Sequence, residues 1–304
     1  MGTQNTKIES DPYRHNNVSV YNSQKSKSST TTRGGRALLI GITYKKTNCP
    51  LNGTYNDATV VKNLIKIKGF SEENTIFLTD KDTNPQSVYY PTNENITRAI
   101  RWLFSSSSKE EFENKDCTVF GIISNKQLCF IYYSGHGTQV VDLNGDESDK
   151  MDEAICPVKI DGNWDENIID DKLSEIVNNY TDETTTVVSL FDCCHSGSNT
   201  DLPYVLENGY VKKKGNYPPT KCTLIHLGGC LDAQSSYESK ILNGTVQGYL
   251  TYSWVSILSS QNRPSISYLE RNIKSQVGKL IKSSYQMPVM GLGKPIAISY
   301  QYPL

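Results

Sequence analysis

The amino-acid sequence predicts an α/β protein with a mostly parallel central sheet and helices on both of its faces. Short, continuous apolar runs, of which ALLIGI (37–42) is the clearest, are typical of strands that are buried on both faces. Segments with apolar residues at helical spacing separate these runs, so strands and helices alternate along the chain. This alternation favours parallel strands joined by helices, and ligands of such sheets bind outside the carboxyl ends of the strands.

The first half of the chain supplies three predicted strands and two predicted helices. After the strand at 37–42, residues Asn56 to Lys68 place apolar side chains at helical spacing and stop at Gly69, which predicts a helix. The segment 91–104 is predicted to be helical because a proline and a threonine cap precede its apolar residues. Two further apolar runs are predicted strands: TIFLTD (75–80) and QLCFIYY (127–133).

The second half continues the same alternation of elements. Its apolar runs predict strands and its segments of helical spacing predict helices, by the same criteria as above. The predicted elements are a helix at 170–180, a strand at 185–194, a strand at 223–230, and helices at 246–260 and 266–285.

Composition along the chain indicates how it is divided. Residues 1–34 have almost no apolar spacing and are predicted to form a flexible polar tail, whose first residues fit an N-myristoylation pattern at Gly2. Residues 35–206 form the first folded region. The segment 207–221 contains two glycines, two adjacent prolines and four lysines, which predicts an exposed linker. A smaller region, 222–304, is expected to add strands to the same sheet.

Composition and charge narrow the classes of function. The 31 Lys and Arg residues balance 32 Asp and Glu, so the net charge of −1 gives no general attraction to nucleic acid or to acidic membranes. No apolar stretch approaches the ~20 residues of a membrane span. Eight cysteines without CxxC spacing, in a chain without a recognisable secretory signal, predict reduced thiols, no structural zinc site and a cytoplasmic location.

Two predicted strands end in loops that are rich in glycine and in reactive side chains. The strands run into YYSGHGTQ (132–139) and FDCCHSGS (191–198). Because the carboxyl ends of neighbouring parallel strands meet at one edge of a sheet, His136 is expected to lie near a thiol, either Cys194 or Cys193. This pairing is typical of a cysteine nucleophile with a histidine base. The alternative is that the adjacent cysteines are an inert pair in the core.

The glycines beside these side chains suit a site for a peptide. They let the backbone turn sharply and let a substrate approach closely. A carbonyl under nucleophilic attack also needs N–H donors, and the backbone N–H groups of Gly137 and Cys194 are the candidates for this oxyanion hole.

Several motifs, taken in order, carry a resemblance to a known family. ALLIGITY, NDA, PTNENI, YSGHG, DCCHSG and DLPY, followed by GGCLDAQSS (228–236) and QMP (286–288), resemble the caspase-like domain of metacaspases, a family of cysteine peptidases. The resemblance extends from about Arg36 to Pro288. It implies the caspase-like (caspase-hemoglobinase) fold, with a large-subunit-like region at 35–206 and a small-subunit-like region at 222–304. The short linker is similar to that of type I members.

The resemblance also implies roles for individual residues. The family pattern makes Cys194 the nucleophile and His136 the general base and acid. Asp192 and Asp57 match the acidic residues of the family's substrate pocket, and Ser134 matches a further pocket residue. Substrates are therefore expected to be proteins or peptides with Arg or Lys at the cleaved position, because a buried cation needs a carboxylate partner.

Many metacaspases require calcium, and the resemblance extends to four acidic residues that match the family's calcium ligands. Carboxylate oxygens are the ligands that calcium prefers. The alternative is a solvated acidic loop followed by a helix whose first turn is rich in aspartate. The matching residues are Asp152, Asp170, Asp171 and Asp201.

These observations predict a calcium-stimulated cysteine endopeptidase that cleaves after Arg or Lys through a Cys/His dyad. The linker lysines Lys212, Lys213 and Lys214 are expected to be sites of autoprocessing. A non-catalytic caspase-like scaffold or protein quality-control module is the alternative function. We expect a monomer that uses calcium as an activator, without an organic cofactor, nucleic-acid partner or stable membrane insertion.

Overall fold

The fold is known from a computed structural model of the 304-residue chain. The predicted tail at 1–34 and the predicted calcium ligand Asp201 lie outside the residues that the structure describes. The described residues are 35–115, 127–142, 145, 150–196, 202–214, 217–230, 238–240, 244–281 and 286–304.

An eight-stranded sheet forms the centre of the protein. Its first five strands in spatial order are parallel, as predicted, and the last three pair antiparallel to their neighbours. In spatial order the strands are β2 (Thr75–Thr79), β1 (Arg36–Gly41), β3 (Leu128–Ser134), β7 (Thr186–Asp192), β10 (Thr223–Gly228), β13 (Val289–Leu292), β8 (Tyr204–Glu207) and β9 (Tyr210–Lys213).

Helices cover both faces of this sheet, as the apolar runs predicted. Within β1, Leu38 and Ile40 pack into the core on one face, and Ala37 and Leu39 pack into the core on the other. Burial of a leucine or isoleucine side chain contributes about 1.5–3 kcal/mol, so a strand that is apolar on both sides requires two helical layers. One layer contains α2 (Asn93–Leu103), α3 (Lys109–Glu113) and α4 (Asp170–Tyr180), and the other contains α1 (Thr54–Ile67), α5 (Tyr249–Ser260) and α6 (Ile266–Ile281).

The helix ends follow local chemistry. The threonine predicted to cap α2 is its N-cap: the Thr92 side chain accepts a hydrogen bond from the Asn95 N–H at 3.2 Å. The helix predicted at 246–260 starts later, because Val246–Gly248 forms a short strand, β12. This strand pairs with β11 (Glu238–Lys240), which uses backbone groups that a helix would have occupied.

The segment predicted to be an exposed linker is exposed at Lys212, Lys213 and Lys214, but it is not irregular. Strand β9 lies within it and pairs with β8 to form a hairpin at the edge of the sheet. The two turn residues, Asn208 and Gly209, have φ values of 52° and 80°. Asn-Gly with both φ values positive is the type I′ turn that joins antiparallel strands with two residues. The lysines and prolines of the segment predicted a linker, whereas its Asn-Gly pair indicates a hairpin.

A three-stranded sheet that the sequence analysis did not predict lies next to His136. It consists of β4 (Gly137–Val141), β5 (Met151–Ile155) and β6 (Ile168–Ile169). The side chains of β4 are only partly buried, so they lack the continuous apolar run by which the other strands were identified. None of the described helices combines the length and apolar character that crossing a bilayer requires.

Candidate active site

Two neighbouring parallel strands bring the predicted histidine and cysteine to the same edge of the sheet. Strands β3 and β7 pair so that Ser134 lies opposite Asp192 at their carboxyl ends. His136 and Cys194 each follow two residues later, and both line one cavity of about 120 Å³. The structure therefore shows the expected closeness of the two loop tips.

Two buried tyrosine hydroxyls hold the backbone of His136. The Tyr44 hydroxyl accepts a hydrogen bond from the His136 N–H at 3.0 Å, and the Tyr133 hydroxyl donates to the His136 carbonyl at 2.6 Å. Tyr44 also donates to the Cys156 carbonyl at 2.6 Å. Burial raises the pKa of both phenols, so both remain protonated donors. The sequence analysis gave these tyrosines no role, because aromatic residues in or just after an apolar strand are ordinarily part of the core.

A backbone carbonyl orients the imidazole ring of His136. Its Nε2 atom lies 2.8 Å from the carbonyl oxygen of Cys49. A carbonyl only accepts, so Nε2 carries the hydrogen and Nδ1 is left with a free lone pair. The ring is therefore held in the tautomer in which Nδ1 can accept a proton.

Exposure separates the two adjacent cysteines. Cys193 is buried in the core with a side chain that is 1% exposed, and this burial raises the pKa of its thiol well above the ordinary value. Cys194 is partly exposed and lines the cavity. The nucleophilic form of cysteine is the thiolate, so the buried thiol is unsuited to attack and Cys194 is the accessible candidate. The next residue, His195, has a φ of 51°, which turns the chain sharply after Cys194.

Close approach of the backbones explains the glycine at position 137. A Cβ atom on Gly137 would lie 2.0 Å from the carbonyl oxygen of Cys194, so no side chain fits there. The backbone after His136 is thereby packed directly against the backbone of Cys194. The oxyanion-hole role of Gly137 stays a prediction.

A second histidine supports the loop that carries Cys194. His226, which is 1% exposed in β10, donates from Nε2 to the Ser196 carbonyl at 2.8 Å and accepts at Nδ1 from the Ser189 hydroxyl at 2.8 Å. The Ser196 hydroxyl in turn donates to the Cys193 carbonyl at 2.9 Å. His226 therefore lies in the core and also anchors this loop.

The three predicted pocket residues line the same cavity as His136 and Cys194. The Ser134 hydroxyl donates to the Asp57 carboxylate at 3.2 Å, and the Gly248 N–H donates to both oxygens of that carboxylate at 3.1 and 3.0 Å. Asp192 accepts from the N–H and the hydroxyl of Thr251 at 2.9 and 2.7 Å. Both carboxylates are thus fixed by donors from the small-subunit-like region.

The pKa of Asp57 lies well above its ordinary value. Burial is the main cause, and the negative charge of Asp192 adds to it. The hydrogen bonds from Gly248 and Ser134 act in the opposite direction but are weaker. The cavity therefore favours a cation, which would relieve the repulsion between two buried carboxylates.

A third acid, Glu238, lines this cavity and was not among the predicted residues. Its carboxylate accepts from the N–H groups of Asn52 and Gly53 at 2.9 and 2.8 Å. These groups lie at the start of α1, where the helix dipole favours a negative charge. Because Glu238 is 185 residues away from Gly53 along the chain, no local sequence pattern could have indicated this contact.

Three of the four predicted calcium ligands lie on adjoining elements. Asp152 is in β5, and Asp170 and Asp171 are in the first turn of α4. The Asp170 carboxylate accepts from the Glu153 N–H at 3.1 Å, which joins the two elements. Asp152 and Asp170 are both buried, and buried carboxylates are a donor set that suits a hard cation. Within the described ranges, no three His, Cys, Asp or Glu side chains are grouped so as to hold a metal ion.

Solved structures with a similar fold define the class of protein. The chain matches protein GSU0716 from Geobacter sulfurreducens with a TM-score of 0.58 and 19% identity, covering 88% of this chain and 97% of the other. It matches Caspase-1 from Spodoptera frugiperda with a TM-score of 0.50 and 11% identity, covering 89% and 91%. These matches, together with the order of strands and the helices on both faces, confirm the predicted caspase-like α/β fold.

Sequence comparison then places the chain within this class. The model of the family "Metacaspase, peptidase C14 domain" matches residues 35–203. The chain belongs to the metacaspase family of cysteine peptidases. It is 29% identical to Metacaspase-1 of Eremothecium gossypii, over 91% of this chain and 68% of that protein, and 29% identical to Metacaspase-1 of Candida albicans, over 88% and 66%. It is 38% identical to Metacaspase-1A of Neurospora crassa over 60% of this chain and 36% of that protein.

Proposed function

We propose that this metacaspase is a calcium-stimulated cysteine endopeptidase that cleaves after Arg or Lys. One observation carries the proposal: an accessible cysteine, an oriented histidine and two buried carboxylates line a single cavity. This arrangement supports the proposal, because a thiol and two carboxylates that suit a cation lie within the reach of one substrate residue.

The chemistry proceeds through the dyad of Cys194 and His136. Nδ1 of His136 takes the thiol proton, and the thiolate attacks the carbonyl carbon of the substrate. When the C–N bond breaks, the histidine returns this proton to the leaving amine and a thioester remains on Cys194. A water molecule, deprotonated by the same histidine, then hydrolyses the thioester and regenerates the thiol. The N–H of Gly137 is the proposed donor to the oxyanion.

The acidic cavity supplies the specificity in this proposal. A guanidinium or ammonium group entering it would meet Asp57 and Asp192, whose positions are fixed by Gly248, Thr251 and Ser134. An aspartate side chain would instead add a further negative charge beside these carboxylates, at a high cost in free energy. We therefore expect selection for Arg and Lys over Asp.

Calcium, in this proposal, is held by Asp152, Asp170, Asp171 and Asp201. When bound, the ion supplies positive charge that neutralises these carboxylates and fixes their arrangement. Strand β5, which carries Asp152, pairs with β4, and β4 begins immediately after His136. Ordering of this small sheet is thus the route by which calcium would stimulate activity.

Hydrolysis of fluorogenic peptides tests the proposal. Peptides that end in Arg, Lys or Asp before the leaving group are offered to the full-length protein with millimolar calcium or with a chelator. We expect cleavage after Arg and Lys with calcium, and a loss on the order of a thousandfold in kcat for Cys194→Ala. Cys193→Ala is the matched control and should retain activity, because its thiol is buried.

Two outcomes would contradict the proposal. Equal activity of Cys194→Ala and wild type would exclude the dyad. Silence of the folded, calcium-loaded wild type towards every peptide would favour the non-catalytic scaffold instead.

A further inference from the structure

A second cavity, of about 410 Å³, lies next to the first and shares His136 with it. Gly137, Trp164 and Asp165 also line this cavity, which we call the Trp164 cavity. Of these two cavities, the first is lined by the acidic residues Asp57 and Asp192 and the second is not. The imidazole of His136 thus borders two cavities of different chemistry.

Trp164 is exposed in a way that the other tryptophans are not. Its side chain is 38% exposed, whereas Trp102 and Trp254 are fully buried. The centroid of its indole lies 5.5 Å from that of the His136 ring and 5.1 Å from that of the Tyr44 ring. A large aromatic surface left in water at a cavity wall gains free energy when a ligand covers it.

A short hairpin holds Trp164 in place. Val158 and Trp164 form an antiparallel bridge, and the Lys159 N–H donates to the Asn163 carbonyl at 2.8 Å. Val158 is fully buried, and its N–H donates to the Pro91 carbonyl at 3.1 Å. The indole is therefore presented by a supported element, which suits a preformed wall of a binding site.

The rest of the lining includes the polar residues Thr138 and Asn167 as well as Cys156 and the acidic Asp165. Cys156 is buried, and burial raises the pKa of its thiol to about 12, so the thiol is neutral. The Asp165 carboxylate accepts from the N–H groups of Asn93 and Glu166 at 3.0 and 2.9 Å. The exposed indole of Trp164 thus suits an apolar or aromatic side chain, and the Asp165 carboxylate disfavours an acidic one.

The Trp164 cavity also continues away from the dyad. Asp165 lines both this cavity and a third one of about 500 Å³. A chain of cavities joined by His136 and by Asp165 therefore runs outward from the acidic pocket. This arrangement suits an extended polypeptide, whose leaving half must pass the histidine that protonates its amine.

We propose that the Trp164 cavity binds the side chain of the substrate residue that follows the cut bond, with a preference for apolar and aromatic side chains. The inference rests on the proposed peptidase function, since the acidic cavity is taken to hold the residue before the bond. Trp164 acts here as a specificity-determining residue.

Internally quenched peptides that differ only in the residue after Arg test this inference. With Phe, Leu, Gly and Asp at that position, we expect kcat/KM of the wild type to be about tenfold higher for Phe and Leu than for Gly, and lowest for Asp. In Trp164→Ala the ratio of Phe to Gly should fall to about one, whereas Trp164→Phe should keep most of it. A general loss of activity lowers kcat/KM for both peptides equally, so a change in the ratio of Phe to Gly reports on the subsite alone.

Intrinsic fluorescence gives a second readout that needs no turnover. In Cys194→Ala, titration with the unlabelled Phe peptide should change the tryptophan emission and protect it from acrylamide quenching, because Trp164 is the exposed tryptophan. The same titration of the double variant Cys194→Ala, Trp164→Phe should leave the emission unchanged.

The outcomes separate the two proposals. An unchanged ratio of Phe to Gly in Trp164→Ala, or a fluorescence change that persists without Trp164, would overturn the subsite while leaving the peptidase intact. If the wild type cuts no peptide, a Trp164-dependent fluorescence change would support the subsite as a peptide-binding site, and its absence would overturn both.

Discussion

At the scale of single residues, two carboxylates in one cavity make the site sensitive to pH. The raised pKa of Asp57, caused by burial and by Asp192, means that the free protein keeps a proton there at pH values where an exposed aspartate has lost it. A cationic substrate binds best after this proton has left. Cleavage after Arg is thus coupled to the ionisation of Asp57.

We predict that kcat/KM for an Arg peptide rises with pH through the raised pKa of Asp57. The rise should be absent from the pH profile of Asp57→Asn, which retains the ionisations of the dyad and a lower overall activity. Steady-state kinetics of both proteins across the pH range measures this difference. Profiles of the same shape would show that Asp57 does not titrate in the free enzyme.

Stability provides an independent check with a defined sign. Because the folded-state pKa of Asp57 is raised, its contribution to the free energy of unfolding is complete below the unfolded pKa and is lost as pH rises through the folded pKa. The Tm of the wild type should accordingly fall relative to that of Asp57→Asn as the pH is raised. A constant difference in Tm would contradict the assignment.

At the scale of elements, the N-cap of helix α2 could be predicted from the sequence. Thr92 precedes α2, and its side chain satisfies one N–H group at the start of the helix. This N-cap was predicted because a threonine stands just before apolar residues at helical spacing. Capping depends on a few consecutive residues, so no tertiary information was needed.

We predict that Thr92→Ala lowers the free energy of unfolding by about 1 kcal/mol, because the Asn95 N–H loses its acceptor. Urea unfolding followed by circular dichroism measures the change in midpoint. Thr92→Ser retains the hydroxyl and is the matched control, expected to lie close to the wild type. If the free energy of unfolding falls equally in both variants, the effect comes from the packing of the threonine methyl group instead.

The short strands β4, β8, β9 and β12 could not be predicted from the apolar pattern of the local sequence. Their side chains are partly exposed or their length is three to five residues, so their apolar periodicity is weak. Pairing partners stabilise such strands, and those partners are set by the tertiary fold. The Asn208-Gly209 turn is the exception, because it is a local signal that the sequence analysis overlooked.

At the scale of the whole molecule, one sheet joins the two halves of the chain. Strand β10 pairs with β7, and β13 pairs with β8, so two strands from 222–304 lie between β7 and the hairpin of β8 and β9. A cut within the linker would leave these pairings in place. The two fragments are therefore expected to stay associated.

We predict that autoprocessing, where it occurs, does not follow Lys212. Lys212 lies in β9, paired with Val205, and its ammonium lies 2.7 Å from the Glu207 carboxylate. Peptidases bind extended and unpaired segments, so the paired residue is protected. After incubation of the protein with calcium, mass spectrometry locates the cut and size-exclusion chromatography shows whether the fragments co-elute.

One variant decides this point. Lys212→Gln should be processed to the same extent as the wild type. Cleavage after residue 212 in the wild type, or fragments that separate without denaturant, would contradict the prediction.

The sequence by itself determined the fold class and the meeting of His136 with the adjacent cysteines Cys193 and Cys194. Apolar runs identify buried parallel strands, and such strands end at a common edge, so two reactive loops that follow them must be neighbours. The resemblance to metacaspases supplied the pocket acids Asp57 and Asp192, which the structure places in the same cavity.

Only the tertiary structure decided how these groups are held and what surrounds them. The Tyr44 hydroxyl that holds His136, the Glu238 carboxylate at the start of α1 and the indole of Trp164 beside the imidazole come from segments far apart in the chain. Burial, which separates Cys193 from Cys194, is likewise a property of the packed core. Contacts of this kind depend on the relative placement of elements, and a local pattern of residues carries no information about that placement.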